Sequence, residues 1–123
     1  MKRSAILGLW MIAGAAAGAE PRAPITFERD VEPILTRAGC NSGPCHGKAS
    51  GQNGFMLSLQ GFDPTFDHIA IAREAGGRRI LRSAPEQSLF LQKGTGALPH
   101  GGGRRLDPDG PFYDTLRRWI ADG

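Results

Sequence analysis

The stretch Cys40-Asn41-Ser42-Gly43-Pro44-Cys45-His46 holds both cysteines of the 123-residue chain and one of its three histidines. Four residues separate the two thiols, and the histidine follows the second cysteine directly. These four residues are Asn, Ser, Gly and Pro, all of which favour turns. The sequence therefore predicts a folded loop at residues 40–46, called the cysteine loop below, around which the rest of the chain is organised.

The first residues have the composition of an export signal. Lys2 and Arg3 precede an apolar run over 5–16, and Ala17-Gly18-Ala19 supplies the small residues of a cleavage site. The run is shorter than the roughly 20 residues that span a bilayer, and an uncleaved membrane anchor is the alternative. We predict a signal peptide at 1–19, a linker at 20–25 and one domain at 26–123, in a periplasmic or secreted protein.

The predicted mature chain is small and nearly neutral. Cleavage after Ala19 leaves 104 residues with 13 basic and 12 acidic side chains. This balance gives no reason to expect nucleic acid as a partner, and we expect no membrane association after cleavage. A chain of this size buries only a modest core, so we expect a bound cofactor or a disulfide to help hold it together.

Apolar residues recur with helical spacing in four segments, which predicts an all-α fold. The first of these segments is expected to pack against the last. The segments are 26–38, 64–75, 83–93 and 111–121.

Capping and turn residues mark the ends of these helices. Thr26, Asp63 and Asp109 are the expected N-caps. Pro33 is expected to kink the first helix or to mark a second helix start, and Gly39 to end the helix just before the cysteine loop. Between the first two helices, apolar and polar residues alternate over 55–60, which predicts a short strand or extended segment.

The cysteine loop has three chemical interpretations. Two thiols followed by a histidine indicate covalent c-type haem attachment, usually written C-x-x-C-H, so the extra length here would have to bulge outward. A Cys40–Cys45 disulfide that closes a small exported loop accounts for the cysteines almost equally well. The third is a zinc or copper site, for which suitable ligands are Cys40, Cys45, His46 and His100.

The chain also resembles a known family, the planctomycete-type cytochrome c module, which is similar to class I cytochromes c and usually heads large secreted bacterial proteins. The resemblance covers almost the whole mature chain. It departs from the usual haem motif by having four residues between the cysteines. The similar segments are 27–46, 54–59, 78–80, 85–89, 100–103 and 116–123.

This resemblance implies a small cytochrome c-like fold, with N- and C-terminal helices packed around one covalently bound haem c and long Gly/Pro-rich loops. Cys40 and Cys45 would form the thioether bonds, and His46 would be one axial ligand. In class I cytochromes c, a Pro-containing loop before the last helix supplies the second axial ligand, and the matching position here is His100. The lesser candidates for this ligand are Met56 and His68, followed by Lys48 and Lys93.

Two imidazole ligands would fill both axial positions of the iron, which favours electron transfer over catalysis and a lower reduction potential than a His/Met pair. The expected partners are redox proteins bound transiently through small interfaces. Four arginines are candidates for pairing with haem propionates or for docking the partner: Arg78, Arg79, Arg104 and Arg105.

Two other functions remain open from the sequence. One is a haem-free exported module, closed by the Cys40–Cys45 disulfide, that binds a partner or a polysaccharide. The other is a haem protein in which His100 is displaceable, so that the iron reacts with a gas or peroxide.

Overall fold

The computed structural model describes residues 22–123, so the predicted signal peptide and the first two linker residues lie outside the described part. The described chain contains four α-helices and no β-strand, which confirms the all-α prediction. The helices are α1 (Glu32–Ala38), α2 (Pro64–Ala72), α3 (Leu89–Thr95) and α4 (Pro111–Asp122).

A π-helical turn at Phe27–Val31 leads directly into α1. Thr26 is the N-cap residue of this turn, as predicted, but its side chain makes no capping hydrogen bond. The carboxylate of Asp30 instead accepts hydrogen bonds from the Thr26 backbone N–H at 2.6 Å and from its hydroxyl at 3.2 Å. Pro33 lies in the first turn of α1, where its missing N–H costs no helical hydrogen bond.

Gly39 ends α1 as predicted. Its φ of 77° is in the left-handed region, which glycine adopts without a Cβ clash. Its N–H donates to carbonyls of the last helical turn. The chain therefore leaves α1 at a sharp angle and enters the cysteine loop at once.

Asp63 caps α2 as predicted, because its carboxylate accepts a hydrogen bond from the Phe66 N–H at 2.9 Å. The helix ends at Ala72, three residues before the predicted end. Ala75 and Gly76 both have positive φ values, 53° and 71°, which an α-helix cannot contain. A 3₁₀ segment follows at Glu74–Gly77.

The predicted helix at 83–93 is divided in two. Pro85–Gln87 forms a 3₁₀ turn, and α3 begins only at Leu89. The break lies at Ser88, whose ψ of 129° is extended. The hydroxyl of this buried serine accepts a hydrogen bond from the Leu81 N–H at 2.9 Å, which ties the break to the preceding loop.

The strand predicted at 55–60 is not formed. One isolated bridge joins Gln52 to Phe55, and a 3₁₀ turn follows at Leu59–Gly61. The backbone of this segment is bonded to the cysteine loop instead: the Leu57 N–H donates to the His46 carbonyl at 2.8 Å. This segment is therefore extended support for the loop.

Helix α4 begins after Gly110, and the prediction of Asp109 as its cap is wrong because the N-cap residue is Gly110. The expected packing of the first helical segment against the last is observed. Phe27 in the π-helical turn contacts Trp119, with ring centroids 5.4 Å apart. The core between them is formed by Val31, Ile34, Leu35, Leu57, Ala70, Ile71, Leu91, Leu106, Leu116, Trp119 and Ile120.

The helices of residues 22–123 are all too short or too polar to cross a membrane.

Candidate functional site

A cavity of about 650 Å³ lies between the cysteine loop and the loop that precedes α4. Cys40, Cys45 and His46 line it from the first loop, and His100 lines it from the second. The structure thus brings together the four residues that the sequence selected, although 54 positions separate the two histidines.

Backbone hydrogen bonds close the cysteine loop on itself. The His46 N–H donates to the Cys40 carbonyl at 3.0 Å, and the Cys45 N–H donates to the Ser42 carbonyl at 3.0 Å. Gly47 then passes so close to the carbonyl of Asn41 that a Cβ at this position would clash with it. The four residues between the two cysteines therefore form a compact turn.

Asn41 anchors the cysteine loop to α1. Its side chain is only 1% exposed. Its amide donates to Glu32 Oε1 at 3.0 Å and to Thr36 Oγ1 at 2.9 Å, both on α1. Because a buried amide strongly favours its hydrogen-bonded arrangement, these contacts hold the start of the loop against α1.

The imidazole of His46 is fixed by its Nδ1 atom. This atom lies 2.9 Å from the carbonyl oxygen of Phe55. A carbonyl only accepts hydrogen bonds, so Nδ1 carries the hydrogen and Nε2 retains its lone pair. Burial lowers the pKa of His46, so the ring is neutral at neutral pH and Nε2 is available to a metal.

His100 is held in the same way from the opposite loop. Its Nδ1 lies 2.8 Å from the carbonyl oxygen of Gly103, which leaves Nε2 as the acceptor of this ring as well. The planes of the two imidazoles are within 10° of parallel, and their centroids are 6.2 Å apart.

The centroid distance of 6.2 Å is compatible with two histidines that share one metal ion. Two imidazoles that bind one transition metal from opposite sides, with bonds of about 2 Å, have ring centroids on the order of 6 Å apart. A hydrogen bond from each Nδ1–H to a backbone carbonyl is also the usual support for a histidine that binds a metal.

The cavity walls suit a flat apolar molecule that carries negative charge. Phe55, Leu89 and Phe90 contribute apolar surface, and the volume is typical of a cofactor site. None of the described residues that line the cavity is acidic, whereas four are basic: Arg78, Arg79, Lys93 and Arg105. A haem, with its apolar ring and two propionates, matches this combination.

The two thiols are not joined in a disulfide, whereas the haem-free alternative requires one. Burial, together with the neighbouring Cys45, raises the pKa of Cys40 to about 11. The thiolate of Cys40 is therefore scarce at neutral pH, which disfavours disulfide formation by this sulfur. Within 22–123 there is no group of three or more His, Cys, Asp or Glu placed to hold a metal ion, so the zinc or copper alternative has no support.

The lesser axial candidates lie elsewhere. His68 packs between Phe27 and Trp119, with centroid distances of 5.2 and 5.9 Å, so it belongs to the aromatic contact between the terminal segments. Met56 and Lys48 are not among the residues that line the cavity. Lys93 does line it, but its ammonium group donates to the Pro99 carbonyl at 2.6 Å.

The four arginines proposed for propionates or for docking have different surroundings. Arg79 is buried, and Arg78 is exposed. Arg104 forms an ion pair with Asp107 at 3.0 Å. The guanidinium of Arg105 donates to the Gly102 carbonyl at 2.7 Å and lies 3.7 Å from Cys45 Sγ, which places a cation at the edge of the cysteine loop.

Sequence reasoning missed two residues that organise the site. Phe55 accepts the hydrogen bond from His46 and also packs on its ring at 4.4 Å. Asn41 was assigned only to a turn, whereas it is the buried anchor of the loop. A polar residue directly after a helix-ending glycine was the available signal for Asn41, but the sequence contains no signal for a backbone acceptor such as the Phe55 carbonyl.

Comparison of the chain with family profiles, with curated proteins and with solved structures finds no match.

Proposed function

We propose that this protein is an exported monohaem c-type cytochrome that carries single electrons, related to the planctomycete-type cytochrome c modules. One observation carries the proposal. The imidazoles of His46 and His100 are within 10° of parallel, their ring centroids are 6.2 Å apart, and both rings line a cavity that both cysteines also line. A c-type haem supplies an iron that gains and loses one electron. Attachment, orientation and exclusion of water are the tasks of the chain.

Attachment falls to Cys40 and Cys45, through thioether bonds. The hydrogen bond from the His46 N–H to the Cys40 carbonyl closes the loop between them and keeps both sulfurs and the imidazole on one turn. Asn41 fixes this turn to α1, so the site is built on a helix of the core. A site supported in this way changes little when the charge of a bound group changes.

Orientation of the iron falls to His46 and His100. Each Nδ1–H is directed to a backbone carbonyl, so the Nε2 atom of each ring would be the one that binds the metal. An iron held by both histidines would have no open position for a substrate. Electron transfer is therefore a better account of this site than catalysis.

The partner is expected to be a redox protein that binds briefly at the edge of the cavity. Arg78 and Arg105 are exposed residues of the cavity lining, so they are the arginines best placed to meet such a partner or a propionate. Arg104 is a weaker candidate because Asp107 already neutralises it.

The decisive experiment is production of the chain in cells that have a cytochrome c maturation system. The wild-type protein should retain the mass of one haem after denaturation and show a c-type absorption spectrum when reduced. A double variant, Cys40→Ser with Cys45→Ser, should lose the haem on denaturation. Wild-type protein with the mass of the polypeptide alone would contradict the proposal.

A further inference from the structure

Arg79 is a buried cation that joins two parts of the chain beside the site. Only 5% of its surface is exposed. Its guanidinium donates to the Ala70 carbonyl on α2 at 2.7 Å and to the Gly54 carbonyl at 3.0 Å. Glu74, whose carboxylate lies 3.6 Å away, is its ionic partner. This arrangement uses the fork of the guanidinium group, which a lysine cannot reproduce.

The same guanidinium lies over the ring of Phe55. Its central carbon is 4.5 Å from the ring centroid, which is the geometry of a cation–π contact. The imidazole of His46 also packs against this ring, with a centroid distance of 4.4 Å. Arg79, Phe55 and His46 therefore form a continuous contact from a fixed positive charge to a histidine of the site.

A second route joins Arg79 to His46 through the backbone. Arg79 holds the carbonyl of Gly54, and the next carbonyl along the chain, that of Phe55, accepts the hydrogen bond from His46 Nδ1 at 2.9 Å. An acceptor that is held in place fixes the tautomer and the angle of the imidazole. Loss of the guanidinium would free the segment that carries this acceptor.

We propose that Arg79 is the positioning residue of His46: it acts through Phe55 to fix the imidazole, and its buried charge favours the reduced state of the bound iron. This inference rests on the proposed function. Reduction removes one positive charge from the iron, and a buried guanidinium, whose charge the partly exposed Glu74 at 3.6 Å offsets only in part, stabilises the less positive state. Arg79 is thus distinct from Arg78, its exposed neighbour on the same cavity.

The test compares Arg79→Met and Arg79→Lys with Arg78→Met, which removes the same charge from the adjacent exposed position. Arg79→Met should lower the reduction potential. At a fixed applied potential, the ratio of reduced to oxidised protein should fall about tenfold. Arg79→Lys should restore most of this ratio because the charge remains. Arg78→Met should change it much less, since water screens an exposed charge.

A second readout follows the position of the ring. In the diamagnetic reduced protein, the ¹⁵N-labelled Nδ1–H of His46 should exchange slowly with solvent. Both Arg79 variants should speed this exchange, because Met donates no hydrogen bond and the single ammonium nitrogen of Lys cannot reproduce the spacing of the guanidinium fork. Arg78→Met should leave the exchange unchanged. Phe55→Leu keeps the backbone acceptor and Arg79 but removes the intervening ring, so it tests the contact if the Arg79 variants do not fold.

Two results would overturn the inference: equal shifts in potential for Arg78→Met and Arg79→Met, or an unchanged Nδ1–H exchange rate in Arg79→Met and in Phe55→Leu. Absence of haem from the wild type would contradict the proposed function alone. The exchange of His46 Nδ1–H in the haem-free protein would then still decide whether Arg79 positions this ring.

Discussion

The imidazoles of His46 and His100 lie on two different loops, nearly parallel and with ring centroids 6.2 Å apart. Each ring is held by a hydrogen bond to a different backbone carbonyl. His46 Nδ1 is bonded across the chain to Phe55, nine residues away, whereas His100 Nδ1 is bonded within its own loop to Gly103, three residues away. The two supports therefore differ in kind. His46 is held by a distant segment of the fold, and His100 is held within its own glycine-rich loop.

Replacement of His100 with Ala should convert a low-spin ferric spectrum to a high-spin one, because one axial nitrogen is lost. His68→Ala is the matched control, since His68 lies in the aromatic contact with Phe27 and Trp119. That variant should remain low-spin and lose only stability. Absorption and electron paramagnetic resonance spectra of the ferric proteins distinguish these outcomes. A His100→Ala protein that stays low-spin would exclude His100 as the ligand.

Gly102→Ala should weaken the binding of His100 to the iron. A Cβ at this position would lie 3.0 Å from His100 Cε1 and 3.4 Å from Nε2, so the ring must move. Overpacking of this kind costs about 1–3 kcal/mol, which corresponds to about a ten- to hundredfold change in an equilibrium constant. Carbon monoxide should therefore bind the reduced variant about tenfold or more tightly than the wild type.

Gly101→Ala is the control for this change, because a Cβ at Gly101 would meet no atom of the described chain within 4 Å. Its carbon monoxide affinity should match that of the wild type. Equal affinities for all three proteins would contradict the assignment of His100. Ready binding by the wild type itself would instead favour the gas- or peroxide-reactive alternative, in which His100 is displaceable.

The sequence predicted the presence of the helices and the identity of the site residues better than the helix caps and the contacts that support those residues. Helix existence follows from apolar spacing, which is local information, and all four segments contain a helix. Thr26 is an N-cap residue, but its side chain makes no capping hydrogen bond because the folded chain brings the Asp30 carboxylate close to it. The Asp109 cap was wrong, since the N-cap residue of α4 is Gly110.

The site was predictable only where few residues offer the required chemistry. The chain has three histidines and two cysteines, so His46 and His100 could be selected by elimination and resemblance. The strand predicted at 55–60 failed because the alternating pattern reflects packing beneath the cysteine loop and not pairing with another strand. The roles of Phe55 and Arg79 depend on contacts across the fold, which no local pattern encodes.

The interior also contains a carboxyl group that no sequence pattern predicts to be buried. Glu32 is 6% exposed, and Oε2 has no hydrogen-bond partner among residues 22–123. Burial is the largest cause that raises the pKa of Glu32 to about 7, and the negative charge of the buried Asp67 adds to it. Glu32 supports Asn41, so its protonation bears on the anchor of the cysteine loop.

The stability of the protein should therefore fall as the pH rises from about 4.5 to above 7. The folded state binds the Glu32 proton more tightly than the unfolded state, whose carboxyl titrates near its ordinary value of 4.5. The stabilisation is complete below that value and is lost as the pH passes about 7. The loss is on the order of 3 kcal/mol, measurable as the free energy of unfolding in urea at several pH values.

Glu32→Gln should abolish this dependence. The amide oxygen can still accept the hydrogen bond from Asn41, and the amide nitrogen offers a donor beside Asp67 without a titrating proton. At pH 8, the variant should be more stable than the wild type by on the order of 3 kcal/mol, whereas at pH 4.5 the two should be similar. Glu28→Gln, an exposed replacement in the neighbouring π-helical turn, should retain the wild-type slope. If Glu32→Gln keeps the same slope, the titrating group is another carboxyl, and the buried Glu32 does not control the stability of this fold.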